Sequence, residues 1–479
     1  MNRIILSTFF IFSLSLANTI GANKGANNSG YSIEVKVTGI KEGMFQLANY
    51  YGDKQYLKDS CKVDNKGIIL FKGDEKLEGG IYMVITPEKK YFEIIIDKEQ
   101  KFSLETDTTD FIKFMKIKGS QENIIFYEYL NFLNPRGKEA NDLSEKIKNL
   151  DTTGKKEELT PLKEKMQVID TEVKDYKKLL QTKYPGSFVA MFLKAMDEID
   201  IPEAPVLENG KIDSTFKFRY YKEHYWDNVD LSDERIVRTP IYHGKLNRYM
   251  ENLTIPMPDS INATADVILQ KVKKTPELFK YTLWWITNTY ERSKIMGMDA
   301  VFVHMTDNYY KKGDAYWVDS LQLQKIIKRS DQLKPILIGK IAPDLKMKDG
   351  NMKEIPLHSV KSKHTILFIW DPDCGHCKKE APKLLDVYKK LKPKGVEVYA
   401  VCSAVDLEKW QKFITENNLN WINVWDPYNT TNFRHSYDVY STPIVYLLDE
   451  NKKIIAKRIG VEQIEEIIEK EAELLEKKK

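Results

Sequence analysis

The chain of 479 residues is long enough for about three domains, and 42% hydrophobic with 30% charged residues is a globular composition, not a disordered or fibrous one. Lys and Arg total 74 against 70 Asp and Glu, so the formal charge of +4 lacks the strong basic excess of a nucleic-acid-binding protein. The four cysteines, Cys61, Cys374, Cys377 and Cys402, are too few for a disulfide-rich scaffold.

The N-terminus has the layout of a secretory signal peptide. Arg3 gives a positive start, Ile4–Leu16 is a short apolar run, and small residues at Ser15 and Ala17 suit a cleavage site. The run is too short to span a bilayer, and no later stretch is apolar enough to do so. We therefore expect residues 1–17 to be a signal peptide and the mature protein to lack a membrane span. It would be exported to the periplasm or cell envelope; a buried N-terminal strand or helix is the alternative.

Residues 31–118 have the pattern of an all-β domain. Polar and apolar residues alternate with period two over Ser32–Thr38, which is typical of a half-buried strand. Short apolar runs follow at Ile68–Phe71, Ile81–Ile85 and Tyr91–Ile96, with turn residues between them. Strands at this spacing predict a small sandwich or barrel.

From residue 119 to residue 333 the apolar period becomes helical, which predicts an all-α domain. Leu143, Ile147 and Leu150 share one face, and a heptad-like seam runs from Leu162 to Leu180. Two antiparallel helices are the expected result. Further helices are predicted at two places: Pro276–Tyr290 and Val318–Ser330.

Two features of this helical region could be ligand sites. His224 and His243 lie among acidic residues, but their spacing matches no known metal site, so surface or packed histidines are the favoured interpretation. The paired Trp284 and Trp285 are interpreted as core residues and not as a ligand platform.

Residues 335–479 alternate strands and helices, which indicates an α/β domain after a linker at Leu333–Pro335. The first predicted strand, Thr365–Trp370, is a continuous apolar run, as expected for a strand that is buried on both faces. The remaining predicted elements are a helix at Lys378–Leu391, a strand at Val396–Cys402, a helix at Leu407–Asn417, a hairpin around residues 444–457 and a last helix at Val461–Leu475.

The chemistry is carried by Cys374-Gly375-His376-Cys377, which follows a buried strand and opens a helix. The first turn of a helix has unpaired N–H groups and a positive dipole end, which favour a thiolate. Cys374 is therefore predicted to attack a disulfide, and Cys377, three residues on, to resolve the mixed disulfide. Gly375 would allow a tight bend, and the imidazole of His376 would favour the thiolate further. This chemistry needs no cofactor and no metal.

The pair has three other conceivable uses. A zinc site normally needs a second pair of ligands, and Cys61 and Cys402 are isolated. A structural disulfide between Cys374 and Cys377 would close almost no loop and so would stabilise little. A peroxidatic cysteine would need a different preceding sequence from the one before Cys374.

The stretch from Ile338 to Glu473 resembles the TlpA/ResA-type branch of the thioredoxin family, an exported branch with an AhpC/TSA-type thioredoxin fold. Ile341–Leu345 resembles the entry strand of that family, Phe368–Pro382 its active-site stretch, and Tyr437–Pro443 the loop that holds its cis-proline. The three stretches occur in the right order. They cover less than a third of the chain.

This resemblance implies roles for further residues. Pro443 would be a cis-proline facing the disulfide, which leaves the backbone of Thr442 free to pair with a substrate strand. Glu380 matches an acid that tunes thiol ionisation, although from the sequence it could equally be a surface residue. Phe368 stands where thioredoxins often carry a buried acid, so proton handling would depend on Glu380 or water. The Gly-His dipeptide resembles that of protein disulfide isomerases and suggests a less reducing potential.

Through Lys58–Gly67 in the β region, and His224–Arg235 and Ser293–Asp299 in the helical region, the two upstream regions resemble domains of unknown function that precede exported thioredoxin domains. The expected function is an exported thiol-disulfide oxidoreductase whose partners are protein thiols and disulfides and an envelope redox partner, without nucleic acid. An envelope binding or scaffold protein with an accessory thioredoxin-like domain is the alternative. The sequence gives neither the direction of electron flow nor the oligomeric state. Cys402 is expected to be buried on a strand, and Cys61 to be unpaired or buried.

Overall fold

The computed structural model describes residues 30–153 and 156–476, so the predicted signal peptide lies outside the described residues. The chain separates into two compact units. The first extends to Ala48 and also takes in Leu57–Ile169, whereas the second comprises Asn49–Tyr56 and everything from Asp170 onward. The predicted order of an all-β region, a helical region and an α/β region is confirmed.

The β region is a sandwich, one of the two predicted forms. Its strands are β1 (Tyr31–Thr38), β2 (Met44–Tyr51), β3 (Lys54–Lys62), β4 (Ile68–Gly73), β5 (Gly80–Ile85), β6 (Tyr91–Ile96), β7 (Lys101–Asp107) and β8 (Lys116–Lys118). One sheet has the order β4-β1-β7-β8 and the other β3-β2-β5-β6. Alternate residues such as Ile33 and Val35 of β1 and Ile94 and Ile96 of β6 form one common core. The strand alternation thus produces two sheets packed face to face.

Two long helices follow: α1 (Gln121–Thr153) and α2 (Lys156–Lys183). Near the start of α1, the fully buried Asn123 closes the free edge of β6. Its amide nitrogen donates to the carbonyl of Ile95 at 2.7 Å, and its amide oxygen accepts the Ile95 N–H at 2.8 Å. The side chain thereby replaces a neighbouring strand and satisfies two backbone groups that would otherwise be buried unpaired.

The remaining helices of the middle region have a core rich in aromatic residues. They are α3 (Phe188–Ala195), α4 (Phe216–His224), α5 (Pro240–Asn247), α6 (Pro258–Val272), α7 (Pro276–Glu291), α8 (Asp299–Met305) and α9 (Ser320–Leu333). Proline occupies the first turn of α5, α6 and α7, where its missing N–H costs no helical hydrogen bond. Trp285 is a core residue as predicted, but Trp284 is 38% exposed.

The C-terminal region is built on a seven-stranded sheet of order β10-β9-β13-β12-β11-β14-β15. Its elements in chain order are β9 (Lys346–Lys348), β10 (Glu354–Pro356), β11 (His364–Trp370), α10 (Gly375–Leu391), β12 (Val396–Cys402), α11 (Leu407–Glu416), β13 (Ile422–Trp425), α12 (Phe433–Ser436), β14 (Ile444–Leu448), β15 (Ile454–Lys457) and α13 (Ile464–Glu476). β11 pairs in parallel with β12 and antiparallel with β14.

The two faces of this sheet have separate cores, which explains the continuous apolar sequence of β11. Phe368 and Trp370 point into a core shared with α10 and α13. Leu367 and Ile369 point into the opposite core, which also contains Phe302 of α8. The second face of the sheet is thus covered by the helical region within the same compact unit.

The linker predicted at Leu333–Pro335 is instead a packed segment. Lys334–Ile336 forms a short 3-10 turn, while Leu333 and Ile336 are buried in the core that the helical and α/β regions share. Lys-Pro has the composition of a linker, but the apolar residues on either side of it reach that core. The buried amine of Lys457 joins the regions further by pairing with Asp299 and donating to the Ile336 carbonyl at 2.8 Å.

The edge of the sheet at β15 is covered by the chain itself. The N–H of Gly339 donates to the carbonyl of Ile454, and the N–H of Ala342 donates to the carbonyl of Lys452, both at 2.8 Å. The N–H of Ile454 in turn donates to the carbonyl of Lys340 at 2.8 Å. The predicted entry strand at Ile341 therefore makes only a short bridge here, and the first strand of the region is β9.

Candidate active site

The two neighbouring cysteines lie where β11 passes into α10. Cys374 is the N-cap of the helix, with extended backbone angles of φ −76° and ψ 121°. Its N–H donates to the carbonyl of Asp371 at 3.2 Å, and its own carbonyl accepts the N–H of Lys378 at 3.1 Å. Cys374 is partly exposed, whereas Cys377 is completely buried in the first turn. One sulfur is thus accessible and the other is held behind it.

The loop that precedes β14 completes the surroundings of the pair. The peptide bond between Thr442 and Pro443 is cis. The sulfur of Cys374 lies 3.2 Å from the carbonyl oxygen of Thr442. On the other side, the N–H of Asp371 donates to the sulfur of Cys377 at 3.4 Å. Both sulfurs therefore have a backbone group within hydrogen-bonding distance.

The two thiols differ in how readily they ionise. For Cys374 the largest influence is burial, which raises the pKa. Hydrogen bonds from the backbone N–H groups of Cys377 and His376 and from the side chains of Thr442 and Cys377 outweigh burial and leave the pKa lowered. For Cys377 burial dominates and raises the pKa to about 12. Cys374 is accordingly the better source of a thiolate, which is the nucleophilic form.

Sequence comparisons identify three regions of the chain. The AhpC/TSA family matches residues 338–457, and two domains of unknown function, DUF5106 and DUF4369, match residues 154–334 and 31–126. A thiol-disulfide oxidoreductase ResA of Bacillus cereus is 33% identical over 132 residues, which cover 28% of this chain and 75% of the relative. The chain belongs to the ResA family of thiol-disulfide oxidoreductases. ResA of Bacillus subtilis is 31% identical over 117 residues, 24% of this chain and 64% of the relative.

Solved structures include two similar chains. A domain of a possible thiol-disulfide isomerase from Cytophaga hutchinsonii is 44% identical, covers 29% of this chain and 97% of its own, and has a TM-score of 0.29. A thioredoxin-like protein from Bacteroides caccae is 19% identical over 56% of this chain and 98% of its own, with a TM-score of 0.43.

The other predicted site residues of this ResA-family oxidoreductase lie in the first turns of α10. Gly375 opens the helix, and a Cβ there would meet no atom within 4 Å, so close packing does not require a glycine. His376 is exposed. The carboxylate of Glu380 forms an ion pair with Lys383 at 2.7 Å. Phe368 lies in the core, stacked on Trp370 with ring centroids 6.3 Å apart.

Asp371 is a site residue to which the sequence interpretation gives no role. Besides its N–H bond to Cys377, its carboxylate accepts a hydrogen bond of 3.1 Å from the hydroxyl of Ser403 and one of 2.8 Å from the N–H of Asp373. Asp373 in turn pairs with Lys409 at 3.0 Å. The sequence feature that could have indicated these contacts of Asp371 is the pair of acids, Asp371 and Asp373, on either side of Pro372 and immediately before the first cysteine.

The isolated cysteines are not part of the pair. Cys402 ends β12 opposite Trp370 and is 1% exposed, as predicted, and burial raises its pKa to about 12. Cys61 is half-buried in β3. All four cysteines are free thiols. A buried thiol with a raised pKa is a poor nucleophile, so Cys402 acts in the fold as a small apolar side chain.

Residues 30–153 and 156–476 contain no cluster of three His, Cys, Asp or Glu side chains that could hold a metal ion. Within the same residues, no helix combines the length and the hydropathy that crossing a membrane requires. His224, one of the two histidines noted in the helical region, contacts Asp227 at 2.6 Å.

Proposed function

We propose that this protein is an exported oxidoreductase that exchanges dithiols and disulfides with protein substrates through Cys374 and Cys377. The observation that carries the proposal is the contrast between the two thiols. One is partly exposed, at a helix N-terminus, with a lowered pKa; the other is buried with a pKa of about 12. An attacking thiol needs the first environment, and a resolving thiol that must wait for the mixed disulfide suits the second.

The reaction follows from this arrangement. The Cys374 thiolate attacks one sulfur of a substrate disulfide, a mixed disulfide forms, and the other substrate sulfur leaves as a thiolate that takes up a proton. Cys377 then loses its proton and attacks the sulfur of Cys374. The second substrate sulfur leaves, the substrate is reduced to a dithiol, and the protein is oxidised to the Cys374–Cys377 disulfide. The N–H of Asp371 is directed at the charge that develops on Cys377. The reverse sequence oxidises a substrate dithiol.

Supporting roles belong to the residues around the pair. The backbone of Thr442, set by the following Pro443, would pair with a substrate strand beside Cys374. The backbone N–H of His376 favours the Cys374 thiolate. The space around Gly375, next to Cys374 in the chain, is open. Glu380, whose carboxylate is neutralised by Lys383, would influence the thiols only after that ion pair opens. An envelope redox partner would restore the pair after each cycle.

Export is supported by the composition of residues 1–17, which have the charged start, apolar run and small residues of a signal peptide. We place the mature protein in the periplasm or cell envelope. Sequencing the N-terminus of the protein recovered from the envelope fraction tests this, with a mature start after Ala17 expected. An intact Met1 in cytoplasmic protein would contradict it.

The test of the reaction uses two variants. Cys374→Ala removes the nucleophile and should abolish disulfide exchange with a disulfide-bonded peptide. Cys377→Ser leaves the nucleophile but removes the resolving thiol, so mixed disulfides with substrate proteins should accumulate and be released by a reductant. Cys402→Ala is the matched control, because it removes a buried thiol from the same sheet. Exchange that persists in Cys374→Ala would refute the proposal.

A further inference from the structure

A buried carboxylate lies in the loop that leads to the cis-proline. Asp438 is 1% exposed and has a left-handed backbone, with φ of 52°. Arg458 donates to its Oδ2 at 2.6 Å and to its backbone carbonyl at 2.8 Å. Arg329, from α9 of the helical region, also pairs with both carboxylate oxygens and reaches Oδ2 at 3.0 Å. The single negative charge is thus shared by two guanidinium groups from different regions of the chain.

Arg329 also holds the next exposed part of the same loop. Its guanidinium donates to the hydroxyl of Tyr440 at 3.1 Å, and its central carbon lies 5.3 Å from the centre of the Tyr440 ring. One turn along α9, the amide of Gln332 donates to the carbonyl of His435 at 3.1 Å. Helix α9 therefore contacts this loop at three points between His435 and Tyr440.

The anchored loop ends at the reactive sulfur. Tyr440 is 73% exposed and lies two residues before Thr442, whose carbonyl is 3.2 Å from the sulfur of Cys374. Charge-assisted bonds from a guanidinium are strong and directional, since its donors are fixed in one plane. A shift of Arg329 would move Asp438 and Tyr440, and through them the backbone of Thr442.

We infer that Arg329 is a positioning residue for the active-site loop: the helical region of unknown function holds the strand-pairing backbone of Thr442 in place for protein substrates. This inference rests on the proposed function, because it concerns how that site receives a substrate chain. It gives the helical region a part in the disulfide-exchange reaction, since Arg329 of α9 binds the carboxylate of Asp438 from the helical side. Arg458, which follows β15, binds the same carboxylate from the side of the sheet.

The test compares Arg329→Gln with a matched control, Asp299→Asn. The control disrupts another ion pair between the helical region and the sheet, that of Asp299 with Lys457, whose side chains hydrogen-bond to each other and to Ile336 instead of to residues 437–442. Arg329→Gln is expected to fold, because Arg458 still neutralises Asp438. Its KM for a disulfide-bonded peptide should rise about tenfold, the effect of losing a charge-assisted hydrogen bond, while kcat changes less than about twofold.

Two comparisons separate positioning from general destabilisation. In a Cys61→Ser background, reaction of the reduced protein with the small disulfide 5,5′-dithiobis(2-nitrobenzoate) needs only the Cys374 sulfur, so its rate should be similar with and without Arg329→Gln. Arg329→Lys keeps the charge but loses the planar fork and should give an intermediate KM. Equal losses towards peptide and small disulfide, or equal KM changes in Arg329→Gln and Asp299→Asn, would overturn the inference.

A readout that needs no activity completes the test. Amide hydrogen exchange over residues 437–442 should be faster in Arg329→Gln than in the unsubstituted full-length protein, and unchanged in Asp299→Asn. Unaltered exchange in a folded Arg329→Gln protein refutes the positioning role, whatever the substrate. If amide hydrogen exchange is faster in Arg329→Gln but the unsubstituted protein has no disulfide-exchange activity, the result would support the contact of Arg329 with the loop and refute the proposed function.

Discussion

The difference in ionisation between Cys374 and Cys377 predicts a large difference in alkylation rate. The perturbation is removal of one thiol at a time, in Cys374→Ser and Cys377→Ser, each in a background of Cys61→Ser and Cys402→Ala so that neither isolated thiol reacts. Burial is the largest cause of the raised pKa of Cys377 and is unaffected by the loss of Cys374. Each remaining thiol is therefore expected to keep its character.

The magnitude follows from the two pKa directions. The pKa of Cys377 is about 12. The pKa of Cys374 is lowered below the ordinary value of 9.0, so the thiolate fractions at neutral pH differ by at least about 1,000-fold. A thiolate of lower pKa is intrinsically less nucleophilic, with a Brønsted slope of about 0.5, which reduces the expected rate ratio to about 30-fold. The complete burial of Cys377 can only enlarge that ratio.

The assay is the second-order rate of alkylation by iodoacetamide across a range of pH, followed by intact mass. Cys374 should react with an apparent pKa below the usual thiol value, and Cys377 should react slowly throughout. In urea, where burial and helix dipole are lost, the two rates should become similar. Comparable rates in the folded protein, or a faster Cys377, would refute the reasoning that assigns the attacking and resolving thiols.

The remaining predictions concern the buried side chains of Asn123 and Cys402. Asn123→Ala leaves the N–H and carbonyl of Ile95 without their partner and should lower the free energy of unfolding, measured in urea, by about 2–3 kcal/mol. The control, Gln121→Ala, changes an exposed side chain on the same helix and should lower it by less than about 0.5 kcal/mol. Equal losses in the two variants would contradict the role of Asn123. Cys402→Ala should keep exchange activity within about twofold, because the thiol is buried with a pKa of about 12. The stability test uses the protein with the Cys374–Cys377 disulfide formed. Above about pH 8.5 the Cys402 thiol loses its proton in the unfolded chain but keeps it in the folded protein, so the free energy of unfolding falls as the pH rises. That fall should be shallower in Cys402→Ala, and identical pH profiles would contradict the raised pKa.

The sequence predicts those elements whose residues alternate or form continuous apolar runs. The strands at Ser32–Thr38 and Thr365–Trp370 are examples, because burial on one or both faces imposes such patterns. β3 is not among the predicted strands, since most of its residues are exposed and its sequence, Lys54–Lys62, has no apolar period. β7 is also absent from them, although Phe102, Leu104 and Thr106 alternate as buried residues.

The site is predictable as far as local sequence determines it. The position of the cysteine pair at the N-terminus of α10 is predictable, because the predicted strand before the pair and the predicted helix after it are its immediate neighbours in the sequence. The pairing of Arg329 with Asp438 joins residues 109 positions apart, and no local pattern relates them. The packing of Leu333 is hidden for the same reason, since its partners come from distant strands. Long-range partners of this kind are set by the tertiary fold.

The covered edge of the large sheet limits how other extended chains can add to this protein. Residues 339–342 occupy the hydrogen-bonding groups along β15, and the opposite edge strand, β10, is three residues long and ends in Pro356, which has no N–H to donate. An exposed edge would invite any extended chain to add to the sheet, which is how aggregates are nucleated. An extended chain that meets this sheet therefore finds few free hydrogen-bonding groups along either edge. Under the proposed function, a protein substrate could dissociate after disulfide exchange without having been added to the sheet as an extra strand.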